Sequence, residues 1–207
     1  LDAFGREVGD EVLDRLMGEK AGGGVDLLFV GRVAPHKAQH DLVKALAVYR
    51  RLYDPEARLR LVGGAGSESY SEAVQRYADA LGLADAVDVT GSVSAGALAA
   101  YYRSADVFVC LSEHEGFCVP LLEAMHHRLP IVALGAAAVP ETLAGAGLVL
   151  PQKDGPTVAA AVARVVGDAV LRDTLVAAGS RRLGEFTLEH TRRRFAAAVE
   201  PIIGASR

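Results

Sequence analysis

Cysteine is scarce: Cys110 and Cys118 are the only two in 207 residues. Two thiols supply no disulfide framework, and their spacing matches no familiar metal-ligand pattern. Lysine is rarer than arginine, at Lys20, Lys37, Lys44 and Lys153 alone, which hints at a GC-rich genome. Basic residues number 22 against 26 acidic ones, a net charge of −4, so nothing here would neutralise a phosphate backbone in the manner of a nucleic-acid binder. No apolar run approaches the about 18 residues that span a bilayer, and no signal peptide is recognisable. The expectation is a soluble, cytoplasmic protein. The chain opens on Leu1 rather than methionine and reads as an excised piece of something longer.

What is present suits a sizeable folded core. Hydrophobic residues make up 51% and charged residues 23% of the chain, far from a disordered composition. A chain of this length buries roughly 70% of its unfolded surface. Residues 1–24 carry a short helical pattern (Val12, Leu13, Leu16, Met17) and then Ala21-Gly22-Gly23-Gly24, and read as a leader or linker helix. From Val25, compact apolar runs alternate with longer segments of helical period. The runs are Asp26–Val30, Leu59–Val62, Ala86–Val89, Val107–Leu111, Pro130–Leu134 and Gly147–Leu150. Each is nearly all apolar, as in strands covered on both faces of a parallel sheet. Helices are expected at Gln39–Tyr53, Tyr70–Leu81, Ala95–Ser104, Pro120–His127 and Pro140–Leu143, then at Asp154–Val166, Leu171–Gly179 and Leu188–Val199. This alternation predicts a doubly wound, Rossmann-like α/β domain over residues 25–200, with a parallel sheet of about six strands and C-terminal helices.

Ligands of such sheets sit at the carboxyl ends of the strands, which selects five loops. After the first strand, Gly31-Arg32-Val33-Ala34-Pro35-His36-Lys37 offers a turn-forming glycine and two cations five residues apart. An arginine fork with a lysine point charge suits a diphosphate, although a solvated loop with two surface cations would look the same. Gly63-Gly64-Ala65-Gly66 lacks the third glycine of a dinucleotide fingerprint, since Ser69 stands there, and reads equally as a tight turn. The richest loop runs Ser112-Glu113-His114-Glu115-Gly116-Phe117-Cys118-Val119-Pro120 and enters a helix carrying Glu123. Its backbone N–H groups around Cys118 and Val119 form an anion site at the helix N-terminus. Two carboxylates beside it, Glu115 and Glu123, suit a ligand that also bears hydroxyls. Against this stands a solvated Glu115 and a Glu123 that merely supports the helix electrostatically. Cys118 reads as a small side chain beside a close-approaching ligand rather than as a nucleophile, for no base arrangement accompanies it.

These motifs resemble the nucleotide-sugar-binding domain of retaining glycosyltransferases of the GT-B fold, family 4 (glycosyl transferases group 1). The resemblance rests on Gly31-Arg32 with Lys37, and on the Glu-x7-Glu block from Ser112 through Glu115-Gly116-Phe117 and Pro120 to Glu123-Ala124-Met125. Gly91-Ser92-Val93, Leu98, Tyr101, Ala105-Asp106 and Pro140-Glu141 add to it. It covers about residues 25–200. The family's usual glycine after the phenylalanine is Cys118 here.

The resemblance implies a hexosyltransferase-type enzyme that transfers sugar from a nucleotide diphosphate sugar, UDP- or GDP-linked, with retention of anomeric configuration. Arg32, Lys37 and Glu115 become the catalytic candidates. Donor binding would involve Gly31, Arg32, Lys37, Ser92, Val93, Glu115, Gly116, Phe117, Cys118, Val119 and Glu123. In that scheme the two cations hold the diphosphate, Glu115 meets sugar hydroxyls, Glu123 meets the ribose, and Ser92 and Val93 lie near the base. No metal or other cofactor is expected, as no Asp-x-Asp motif occurs. The acceptor domain would be N-terminal and absent from this chain, leaving a domain that binds nucleotide but transfers nothing alone. Apolar surface on the last helices, through Phe195, would let it pair with itself. Two other readings share the architecture: a sugar-nucleotide epimerase, and a nucleotide-binding module without catalysis. A role in carbohydrate biosynthesis, with the whole enzyme peripheral at a membrane, is what the family suggests.

Overall fold

The computed structural model describes residues 9–204, so the first eight residues of the expected leader lie outside it. Six strands form one parallel sheet: β1 (Asp26–Val30), β2 (Arg58–Val62), β3 (Val87–Gly91), β4 (Val107–Cys110), β5 (Ile131–Leu134) and β6 (Leu148–Leu150). Their order is β3-β2-β1-β4-β5-β6, running outward both ways from β1 and β4, which is the doubly wound arrangement the alternation predicts. The flanking helices are α1 (Asp10–Ala21), α2 (Gln39–Leu52), α3 (Glu68–Ala80), α4 (Ala95–Ser104), α5 (Val119–His126), α6 (Val139–Leu143), α7 (Gly155–Gly167), α8 (Ala169–Leu183) and α9 (Leu188–Gly204). None of the described helices is long and apolar enough to cross a membrane.

Local chemistry explains where the helices begin. Ser67, Ser94, Asp154 and Asp168 each stand just before a helix and accept a backbone N–H three residues on, capping α3, α4, α7 and α8. The central strands β1 and β4 are covered on both faces, with Leu27, Leu28, Phe29, Val107, Phe108 and Val109 all buried. Helix α2 packs on α3 and α7, α1 on α4, and α5 on α8.

Two expectations change. The second apolar run is not purely apolar: Arg60 lies inside β2 and is only 8% exposed. It is tolerated because Asp26 on the neighbouring strand β1 is buried too. Asp26 Oδ1 lies 3.5 Å from Arg60 Nε and 2.9 Å from Arg58 Nε. The segment read as a leader is also tied to the domain. Leu16 of α1 is buried, Glu19 bonds Arg60, and Lys20 Nζ donates to Asp106 Oδ1 and to the Ser104 carbonyl, both at 2.7 Å. Asp106 in turn accepts the Asp26 backbone N–H at 2.8 Å. A charge network thus closes the amino ends of the strands. At the other extreme α9 leaves the body after the 3-10 turn Gly184–Phe186, with Leu188 and Phe195 exposed.

Removing one member of a buried ion network leaves its partners uncompensated. Asp26→Ala is therefore expected to destabilise the domain by about 3–5 kcal/mol, read as a fall in the urea midpoint at unchanged slope. A change below about 1 kcal/mol, typical of surface pairs, would show that water already screens Arg58 and Arg60.

Candidate functional site

The sheet order reverses between β1 and β4, so the loops that leave these adjacent strands stand side by side at their carboxyl ends. The first loop turns at Gly31 and makes a 3-10 turn at Pro35–Lys37. It enters α2 through Ala38, whose φ of 55° is left-handed. Its course is held from inside by Gln39, wholly buried, whose Nε2 donates to the Arg32 carbonyl at 2.9 Å. The second loop follows β4 and enters α5 through Cys118. The two loops are stitched together where the Glu113 N–H donates to the His36 carbonyl at 2.8 Å.

This arrangement brings Lys37 and Glu115 into contact. Lys37 Nζ lies 2.6 Å from Glu115 Oε1, with side-chain exposures of 17% and 9%. The short distance and low exposure define a shielded pair that a surface bridge would not form. Arg32 is exposed, and its side chain has no hydrogen-bond or ion-pair partner among the described residues. Glu123 has a different partner: its Oε2 accepts from the Tyr102 hydroxyl at 2.9 Å. The two carboxylates of the Glu-x7-Glu block are thus engaged separately, one by a cation and one by a phenol. Ser92 stands exposed just past β3, and Val93 is half-buried.

The glycine-rich turn after β2 serves packing. A Cβ on Gly63, at φ 144°, would meet the Gly31 carbonyl oxygen at 2.2 Å, and one on Gly64 would meet Ser92 Oγ at 2.6 Å. Gly63 lets the ends of β1 and β2 approach backbone to backbone and Gly64 makes room for the Ser92 side chain, which gives the incomplete fingerprint a structural reason.

Around the second loop the supports come from residues the sequence reading passed over. Lys153, after β6, bonds Asp41 at 2.7 Å and Glu113 at 2.6 Å. Burial alone would raise the Asp41 pKa, but hydrogen bonds from Lys153 and Lys44 overcome it and hold the carboxyl below its usual range. Thr142 Oγ1 donates to the Phe117 carbonyl at 2.9 Å, and Phe117 meets the Phe186 ring edge-on. Arg182 holds the carbonyls of Glu141 and Thr142 and lies over the Phe186 ring. Gly116 and Val119 remain exposed, while Cys118 is buried with φ 64°. That φ favours glycine, so the common family residue at this place has a backbone reason. Cys118 Sγ lies 4.0 Å from Cys110 Sγ. The contact between them lowers the Cys110 pKa to about 7 and raises that of Cys118.

Tyr102 was legible in principle, since a tyrosine on a buried helix face must find a partner for its hydroxyl. Its ring stacks on His127 (5.2 Å between centroids, 8° between planes) and on Phe108. Burial, and then the Glu123 carboxylate, push the Tyr102 pKa well up.

The fold, a parallel six-stranded sheet flanked by helices, is Rossmann-like and matches solved GT-B glycosyltransferase structures. The Anabaena Alr3699/HepE structure in complex with UDP-glucose matches 94% of this chain and 54% of its own, at TM-score 0.80 and 20% identity. The C-terminal domain of the Francisella tularensis glycosyl transferase LpcC matches 87% of this chain and 94% of its own, at TM-score 0.72 and 22% identity. The chain belongs to the glycosyl transferases group 1 family, whose model matches residues 17–182. It is similar to a D-inositol 3-phosphate glycosyltransferase of Geodermatophilus obscurus, 36% identical over 176 residues, 81% of this chain and 38% of the relative. It is also similar to a GDP-mannose-dependent alpha-(1-6)-phosphatidylinositol monomannoside mannosyltransferase of Mycobacterium tuberculosis, 36% identical over 160 residues, 73% of this chain and 40% of the relative. The chain therefore spans about 40% of the length of these relatives.

His127, packed against Tyr102, supplies a pH test of this framework. Burial, then His126 and Arg103, lower its pKa from 6.5 to about 4. Between those values the unfolded chain binds the proton and the folded chain does not, so stability rises with pH across that window. Because the ring is half-exposed, this group should remove on the order of 1–2 kcal/mol as pH falls from 6.5 to 4. His127→Phe keeps the stack and removes the titration. Urea unfolding at both ends of the window should show a flatter dependence for this variant, and an identical slope would disprove the assignment.

Proposed function

We propose that this chain is the donor-binding domain of a retaining, family 4 glycosyltransferase that moves a sugar from a nucleotide diphosphate sugar to an acceptor held by a separate domain. The observation that carries this reading is the shielded Lys37–Glu115 pair at the switch point, beside the unpartnered Arg32 and the start of α5.

The pair suits exchange. A diphosphate arriving between the two loops attracts Lys37 Nζ away from Glu115, and Arg32 supplies the second cation as a bidentate fork. Glu115, freed of its ion pair, is then left to accept hydrogen bonds from hydroxyls of the donor sugar. Negative charge grows on the diphosphate as the glycosidic bond to it breaks. Arg32, Lys37 and the N–H groups from Gly116 to Val119 would stabilise it. The positive charge that a divalent ion would bring to the leaving group comes here from two side chains. Glu123, aligned by Tyr102, keeps one oxygen for the ribose hydroxyls, and Ser92 and Val93 border the base. The two relatives above, one GDP-mannose-dependent by name, and the UDP-glucose-bound neighbour support a nucleotide sugar as the ligand.

Calorimetric titration with UDP, GDP, ADP and NAD tests this. One nucleoside diphosphate should bind, and Arg32→Ala should weaken it by about tenfold or more, the loss of one charge-assisted contact at 1.5–3 kcal/mol. Glu123→Ala should weaken it as well. Preference for NAD, or affinity indifferent to both changes, would defeat the proposal. The chain alone should show no transfer to acceptor, since a GT-B active site lies between two domains; robust turnover would overturn that part.

A further inference from the structure

The sequence spacing of Cys110 and Cys118 suggests no metal site, yet the fold brings them together with Glu115. One ligand atom from each of the three residues lies within 4.8 Å of the others. We propose that Cys110, Glu115 and Cys118 form a binding site for a single thiophilic divalent cation of the zinc type.

Geometry favours an ion over a direct bond between the sulfurs. A tetrahedral zinc with Zn–S bonds of about 2.3 Å sets its two sulfurs about 3.8 Å apart, and here they stand 4.0 Å apart. A disulfide requires closure to about 2.0 Å, and neither anchor yields easily. Cys110 is the last residue of the buried strand β4, and Cys118 is the left-handed residue that opens α5. For the two sulfurs an ion therefore asks for a few tenths of an ångström where a disulfide asks for about 2 Å.

Ligand chemistry agrees. Both thiols are buried, at 1% and 7% exposure, which keeps competing water away. Glu115 is oriented by Lys37 through Oε1, leaving Oε2 for the ion, the arrangement in which a hydrogen-bonded outer partner fixes a ligating carboxylate. Charge closes as well. Two thiolates and one carboxylate balance a divalent cation together with the Lys37 ammonium. Binding releases the two thiol protons, M²⁺ + 2 RSH → M(SR)₂ + 2 H⁺. Three protein ligands leave a fourth position for water, as in open zinc sites.

On the reading proposed above, the ion would occupy the Glu115 oxygen that a donor sugar needs. Metal and nucleotide sugar would then exclude each other, making the site inhibitory rather than catalytic. This consequence alone rests on the proposed function; the metal site does not.

The test is titration of the reduced, oxygen-free chain with Co²⁺, a spectroscopic stand-in for zinc. A sulfur-to-cobalt charge-transfer band in the near ultraviolet should saturate at one equivalent and vanish when zinc is added. Cys110→Ala, which removes a direct ligand, should cost more than the about 10–100-fold lost with an outer partner and abolish the band at one equivalent of cobalt, while the metal-free variant binds nucleotide as the parent does. Cys118→Gly, which places the residue that the left-handed φ favours, should lose the band too and guards against misfolding of the first variant. Absence of the band in the parent, its persistence in either variant, or thiols that form a disulfide in air yet give no cobalt band when reduced would each overturn the site. Nucleotide binding measured on the same metal-free samples separates this failure from failure of the donor-binding reading.

Discussion

The reversal of strand order between β1 and β4 is the constraint on which the site depends. Parallel strands that wind outward in two directions leave their two central loops with nothing between them. One loop carries Arg32 and Lys37, the other Glu115 and the entrance to α5. Neither loop is rigid by its own composition. Each becomes so through the other, by the Glu113–His36 backbone bond and the Lys37–Glu115 pair. Gly63 belongs to the same constraint, because the end of β2 meets the Gly31 backbone there and leaves no room for a side chain.

The two ends of the sheet treat charge in opposite ways. At the amino ends, Arg58, Arg60, Asp26, Asp106, Lys20 and Glu19 satisfy one another, so that buried charge becomes structural. At the carboxyl ends Lys37 is matched by one carboxylate, Lys153 draws Glu113 toward Asp41, and Arg32 is left without a partner. An unmatched cation beside a pair that can be opened is an electrostatic deficit. On the proposed function a diphosphate would correct it, whereas a neutral ligand would not.

Much of this was legible in the sequence because parallel strands advertise themselves as apolar runs. Asp26–Val30 was located to the residue, and the other five runs fell within two residues of the observed strands. What was missed depends on contacts between distant segments. Arg60 inside β2 makes sense only once Asp26 is its neighbour on β1. Helix α1 looked like a leader because its apolar stripe is narrow and glycines follow it. Besides the buried Leu16, its hold is polar, through Glu19 and Lys20, and hydrophobic periodicity does not register such contacts. Among site residues, Arg32, Lys37, Glu115 and Glu123 were singled out by their place after the strands, and the family resemblance gave them their roles. That Lys37 meets Glu115, and that Glu123 meets Tyr102, follows only from the order in which the strands are laid down.

Cys118 shows how a single departure from a family pattern carries two consequences. The loop needs a left-handed residue before α5, and glycine fills that need without strain. A side chain with a Cβ costs about 1 kcal/mol or more there, so the substitution must be offset nearby. Part of the offset is visible: the thiol is buried and lies 4.0 Å from Cys110 Sγ. The same contact makes a two-thiol cluster beside Glu115 that a glycine at this position could not make. If both proposals hold, the loop would keep its backbone N–H groups for an anion while gaining affinity for a soft cation, and the two properties would share one carboxylate.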